Sequence, residues 1–140
     1  MIKEKIYFVL MGISNSGKTS TLKELIDKLL VNHAVCEQKD VIGDDIRIKL
    51  KFNDKIIGIT TRGDTEYALQ KDFEWLGECD IYFCASHIKG KTRNYVYRIS
   101  NGCQCVEHRK WSTSIYDAFV WKRINQLQSD ELYTEIFELC

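Results

Sequence analysis

Apolar and polar positions along the chain change period several times, and each change marks an element. Ile6-Tyr7-Phe8-Val9-Leu10 is an unbroken apolar, β-prone run, which predicts a strand buried on both faces of a parallel sheet. Leu22, Leu25, Ile26, Leu29 and Leu30 then recur at helical spacing, with Lys23, Glu24, Asp27 and Lys28 between them, and predict an amphipathic helix. Over residues 31–45 polar side chains dominate and Gly43-Asp44-Asp45 signals a turn, so this stretch is expected to carry the chain around the sheet edge. Ile46-Arg47-Ile48-Lys49-Leu50-Lys51-Phe52 alternates apolar with basic residues, the pattern of a strand buried on one face. Asn53-Asp54 turns it into residues 55–60, predicting an antiparallel edge hairpin whose turn lacks the favoured glycine.

Over residues 65–77, Ala68, Leu69, Phe73 and Leu76 share a helical face, with Gly77 as C-cap. Residues 80–86 read as another buried strand, with Asp80 at its start and therefore at the far end from its carboxyl edge. Residues 95–106 admit two readings. One is a hairpin through Asn101-Gly102; the other is a helix capped by Thr92, with Tyr95, Val96 and Ile99 on one face, leading into a parallel strand. The helix completes the alternating order of a parallel sheet and is preferred. Ile115, Phe119, Val120, Ile124 and Leu127 mark a further helix, and Leu132, Ile136 and Leu139 a second short one after a break at Ser129-Asp130. If Tyr116, Trp121, Tyr133 and Phe137 form an exposed aromatic face, they point to a homodimer contact.

Chemistry concentrates in the turn between the first strand and the first helix. Gly12-Ile13-Ser14-Asn15-Ser16-Gly17-Lys18-Thr19 fits G-x-x-x-x-G-K-[ST] at each fixed position. A polyphosphate must be wrapped by backbone N–H groups, which needs a loop poor in side chains and tolerant of unusual φ. Lys18 is placed to reach the β- and γ-phosphates, and the Thr19 hydroxyl to bind a bridging Mg²⁺. Ser14, Asn15, Ser16 and Ser20 complete the expected binding set, at a helix end whose dipole favours anions.

Strand, glycine loop and helix in this order resemble the Walker A segment of the P-loop NTPase superfamily, over the first thirty or so residues. The later chain is similar in overall order to small single-domain bacterial ATP-binding proteins. The resemblance implies a three-layer α/β fold, with a mostly parallel sheet of about five strands flanked by helices. It also implies ATP or another nucleoside triphosphate with Mg²⁺, and either hydrolysis or transfer of a phosphoryl group to a small acceptor. In such proteins an acid at the carboxyl end of a neighbouring strand holds the metal. Asp64 is the candidate, although it follows Thr60-Thr61-Arg62-Gly63 rather than ending an apolar run directly. Glu66 is the second choice and would orient a nucleophile. In the basic stretch 87–93, Arg93 or Lys91 would close over the transferring group as a lid, with Arg62 a further candidate. A nucleotide-dependent switch with slow turnover is the competing reading, its moving parts the hairpin and residues 62–66. No N-K-x-D motif for guanine is found.

Composition narrows this further. At 140 residues, 44% of them hydrophobic, the chain suits one domain spanning 1–140. Twenty basic and twenty acidic residues cancel, so no whole-chain field recommends nucleic acid or an anionic membrane. No apolar run reaches membrane length and the charged start is unlike a signal peptide, so a cytoplasmic protein is expected. Six cysteines in a reducing compartment are expected as free thiols. Cys84, His87, Cys103, Cys105 and His108 lack the paired spacing of a zinc site. Asp44 and Asp45 read more simply as a solvated turn than as metal contacts.

Overall fold

The structure is a computed structural model and describes residues 4–140; the expectation for the charged start falls partly on residues 1–3, outside the described residues. The first apolar run forms β1 (Ile6–Met11), which lies deep in the sheet between β5 (Ile81–Ser86) and β6 (Gln104–Arg109), parallel to both. On the far side of β5 lies β4 (Lys55–Thr60), also parallel to it. The hairpin then runs outward, β3 (Asp45–Phe52) antiparallel to β4 and β2 (Val35–Ile42) antiparallel to β3. The sheet is open, mixed and six-stranded, in the order β2-β3-β4-β5-β1-β6. The expectation of about five strands with a connection over 31–45 is corrected by β2. That strand is exposed along nearly its whole length and is held by its ladder with β3, so burial leaves no alternating signature on it.

The helices α1 (Lys18–Val31), α2 (Glu66–Leu76), α3 (Lys91–Ile99) and α4 (Ala118–Leu139) cover the two faces in pairs. Alternation along β1 divides the core. Phe8 and Leu10 face α1 and α4, where Leu22, Leu25, Leu29, Leu132 and Ile136 are buried with them. Val9 and Met11 face the other way, against Leu69 of α2 and Val96 of α3. Cross-strand neighbours Phe8 and Phe83 stack at 4.8 Å, and Tyr7 and Tyr82 at 4.7 Å on the opposite face. Each such fully buried side chain contributes about 2 kcal/mol. No helix among the described residues is long and apolar enough to cross a membrane.

Local signals explain most boundaries. The hairpin turn needs no glycine because Asn53 and Asp54 both adopt left-handed φ, 47° and 66°, as a two-residue turn of matching twist demands. The Thr65 hydroxyl caps α2 by accepting from the Ala68 N–H at 3.1 Å, and Gly77 ends it. Of the two readings of residues 95–106, helix then parallel strand is the one formed, although Gly90 occupies the cap position and the Thr92 hydroxyl accepts instead from the His87 N–H. The expected break at Ser129-Asp130 does not occur. Ser129 Oγ donates back to the Gln126 carbonyl at 2.7 Å, Asp130 pairs with Lys28 of α1, and α4 runs through both.

Candidate functional site

The parallel strands β1, β4, β5 and β6 end on one edge of the sheet. From that edge α1 leaves to one face and α3 to the other, so the end of β1 is a topological switch point, where α/β sheets bind ligands. Residues 12–19 lie there. Asn15 and Gly17 both take left-handed φ, 60° and 93°, on either side of Ser16, an alternation that turns successive amides toward one concavity. A Cβ at Gly17 would in addition meet Asn125 Oδ1 of α4 at 3.0 Å. A cleft of 330 Å³ opens over this segment, lined by residues 15–20 and by Asp64.

Lys18 is buried at the mouth of the cleft. Its Nζ donates to the Gly12 carbonyl at 2.5 Å and to the Ser86 carbonyl at the end of β5 at 3.1 Å, which draws the loop onto the strand edge. Burial pulls its pKa below the ordinary lysine value, and the charge of Asp64 acts in the opposite direction. Ser16 Oγ is buried without a hydrogen-bond partner, an orphaned donor in the floor of the same cleft.

Thr19 meets an acid from β3, Asp45. Its Oγ1 donates to Asp45 Oδ1 at 3.3 Å and approaches the Thr61 carbonyl at 3.4 Å. Asp45 is fixed in turn by Thr61, whose hydroxyl donates to the same Oδ1 at 2.8 Å while accepting from the Ile46 N–H at 3.0 Å. The carboxylate beside Thr19 therefore arrives from the start of the antiparallel strand β3, held by Thr61 at the end of β4. The hairpin register held the clue, because an antiparallel β3 begins where β4 ends. Asp64 remains on the cleft wall, its carbonyl contacting His87 Nε2 at 3.2 Å. Gly63 allows this strap to lie against β5, since a Cβ there would sit 2.4 Å from the Ala85 carbonyl oxygen.

Other expected residues stand elsewhere. Glu66 opens α2 and pairs with Arg98 of α3, and Arg93 is buried in an ion pair with Glu107 of β6, its guanidinium stacked on Tyr97. Neither lines the cleft. Of the basic stretch 87–93, residues 87–90 connect β5 to α3 and residues 91–93 open that helix, with Lys91 exposed on it. Arg62 is held by Asp72, which is fully buried and also accepts from Thr60 Oγ1 at 2.6 Å and Arg47 Nη1 at 3.4 Å. Ser14 is exposed on the loop.

Two residues beyond the motif abut the loop. The Lys110 side chain, following β6, runs along it: its Cβ would lie 3.0 Å from a Cβ at Gly12 and its Cε 3.3 Å from one at Gly17. Nζ donates to the Trp111 carbonyl at 2.6 Å, and burial pushes the pKa down to about 8. Asn125 Oδ1, beside Gly17, is buried and unpartnered. Among the described residues no three His, Cys, Asp or Glu side chains gather as a metal cluster. Cys103 and Cys105 pack beside Tyr7 and Tyr82 on the α2 and α3 face. Comparison with known proteins finds no matching family model, no matching curated protein and no matching solved structure.

Proposed function

We propose that the protein is a P-loop protein that binds a nucleoside triphosphate, ATP in the first instance, with Mg²⁺, and acts as an NTPase or as a phosphotransferase to a small acceptor. The observation that carries this reading is the loop at the end of β1, with left-handed Asn15 and Gly17, buried Lys18 and a cleft of 330 Å³ above them. Unpartnered Ser16 Oγ and a lysine paired only with carbonyls are groups that a polyphosphate would satisfy. Thr19 and Asp45 would hold Mg²⁺, with Asp64 reaching it from the cleft wall; one or two protein oxygens plus phosphates and water suit this ion. Bound there, the ion would offset charge on the terminal phosphates.

A switch module with little turnover is supported by a specific observation: Glu66 and Arg93 are both committed to ion pairs away from the cleft. That leaves Asp64 as the one acid lining it among the described residues. Phosphate release from MgATP, measured alone and then with a panel of nucleosides and nucleotides, separates the readings. An NTPase turns over without acceptor, a phosphotransferase needs one, and a switch stays slow with all. Absence of any binding to ATP, GTP, CTP or UTP would overturn all three.

A further inference from the structure

The outward face of α4 is apolar where a surface helix is ordinarily polar. Its inward side is used against α1 and the sheet, with Leu132 and Ile136 wholly buried. Yet Phe119, Leu127 and Phe137 are 85, 42 and 55% exposed on the other side, and the strap before the helix adds Trp111, Ile115 and Tyr116. A helix with large apolar residues on both faces is one that a partner completes.

The charges between those residues select the partner. Toward its amino end the exposed face carries Lys122 and Arg123, and toward its carboxyl end Glu131 and Glu138. Among the described residues none of these four joins an ion pair within the chain, whereas Asp130 and Glu135 are taken by Lys28 and His108. Asp117, the acid beside Tyr116 and Phe119, is occupied in capping the helix, accepting from the Phe119 and Val120 N–H groups. A face basic at one end, acidic at the other and apolar midway is complementary to itself when reversed.

We infer that α4 and the strap 111–117 dock on the same surface of a second copy of this chain, the two helices antiparallel about a two-fold axis through Leu127. In this register Leu127 meets its own counterpart, and Arg123 faces Glu131 of the partner subunit on each side of the axis. Tyr116 and Phe119 then lie over the partner's last turns. The helix is about 33 Å long, and the strap widens the face toward the roughly 1,200 Å² that a stable association buries. A single-stranded nucleic acid is the less suitable occupant, because Glu131 and Glu138 would repel its phosphates from half of the surface.

The test is sedimentation velocity on the full chain over a hundredfold range of concentration, without nucleotide, so that the result is independent of the proposed activity. A dimer is expected, at least tenfold weaker in Leu127→Glu, Arg123→Glu and Glu131→Arg, with circular dichroism unchanged, and regained in the double variant R123E/E131R. A monomer at every concentration, a dimer indifferent to Leu127→Glu, or a double variant no better than either single one overturns the inference. So does a monomer that binds labelled oligo-dT through Lys122 and Arg123.

Discussion

Asp45 and Thr19, 26 residues apart in the chain, meet through Oδ1 and Oγ1 at 3.3 Å. Their contact joins the start of β3 to the start of α1 and brings a carboxylate to the first helical turn after the glycine loop. Thr61 holds that carboxylate from the other side, at 2.8 Å. The hairpin thus supplies two strands of the sheet and the acid held against the Thr19 hydroxyl.

The first prediction follows from this contact. Asp45→Asn keeps the shape and removes the charge, so the magnesium concentration needed for half-maximal nucleotide binding should rise about tenfold, equivalent to ~1.4 kcal/mol. Asp64→Asn should move it less, because that carboxylate has no hydrogen bond to Thr19. A magnesium titration followed by fluorescent-nucleotide binding measures both. Equal shifts, or a larger one for Asp64→Asn, would return the metal to the strap after β4.

The second concerns Asp72, fully buried in α2 with Arg62, Arg47 and Thr60 gathered on it. Removing the acid strands the Arg62 guanidinium, while Arg47 keeps Asp40 at 2.7 Å, and Asp72→Ala should cost about 3 kcal/mol of stability. Urea denaturation at neutral pH reads this directly. The double variant with Arg62→Met should recover part of the loss, since the stranded charge is then gone as well.

The third is a pH dependence. Lys110 titrates at about 8 in the folded chain against 10.5 ordinarily, because burial disfavours its charged form. Between those values the unfolded chain binds more protons than the folded one, so this group adds stability as pH rises from about 8 to 10.5. Cys79 acts the other way, its thiol raised by burial from 9.0 to about 11, so the wild-type curve alone mixes the two. The difference between wild type and Lys110→Met isolates the lysine. It should change by on the order of 2 kcal/mol between pH 7 and 10, with the wild type gaining relative to the variant. A constant difference would mean that Lys110 is no harder to charge in the folded chain than in the unfolded one.

The parts that were legible in the sequence are those whose burial leaves a period. The run at Ile6–Met11 is apolar throughout because both its faces are covered, and the leucines of α1 recur because one stripe packs on the sheet. Val35–Ile42 has neither signature: helices cover little of it, and hydrogen bonding to β3 suffices to hold it. The Ser129-Asp130 pair resembles a helix end, but its polar groups bond locally and to Lys28. Around the cleft, the loop between β1 and α1 was legible because its glycine signal is local. Asp45 was not, because its meeting with Thr19 depends on a hairpin register and a strand order that no short stretch of sequence contains. Arg93 looked like a free cation because its partner Glu107 lies on another element.

The central claim is that residues 12–19 cradle a polyphosphate, and calorimetric titration of MgATP into the wild type and into Lys18→Ala tests it most directly. The account predicts saturable one-to-one binding to the wild type and a loss of at least a hundredfold in the variant, about 2.7 kcal/mol. Equal affinity in the two proteins, or no heat of binding from any triphosphate to a folded wild type, would contradict it.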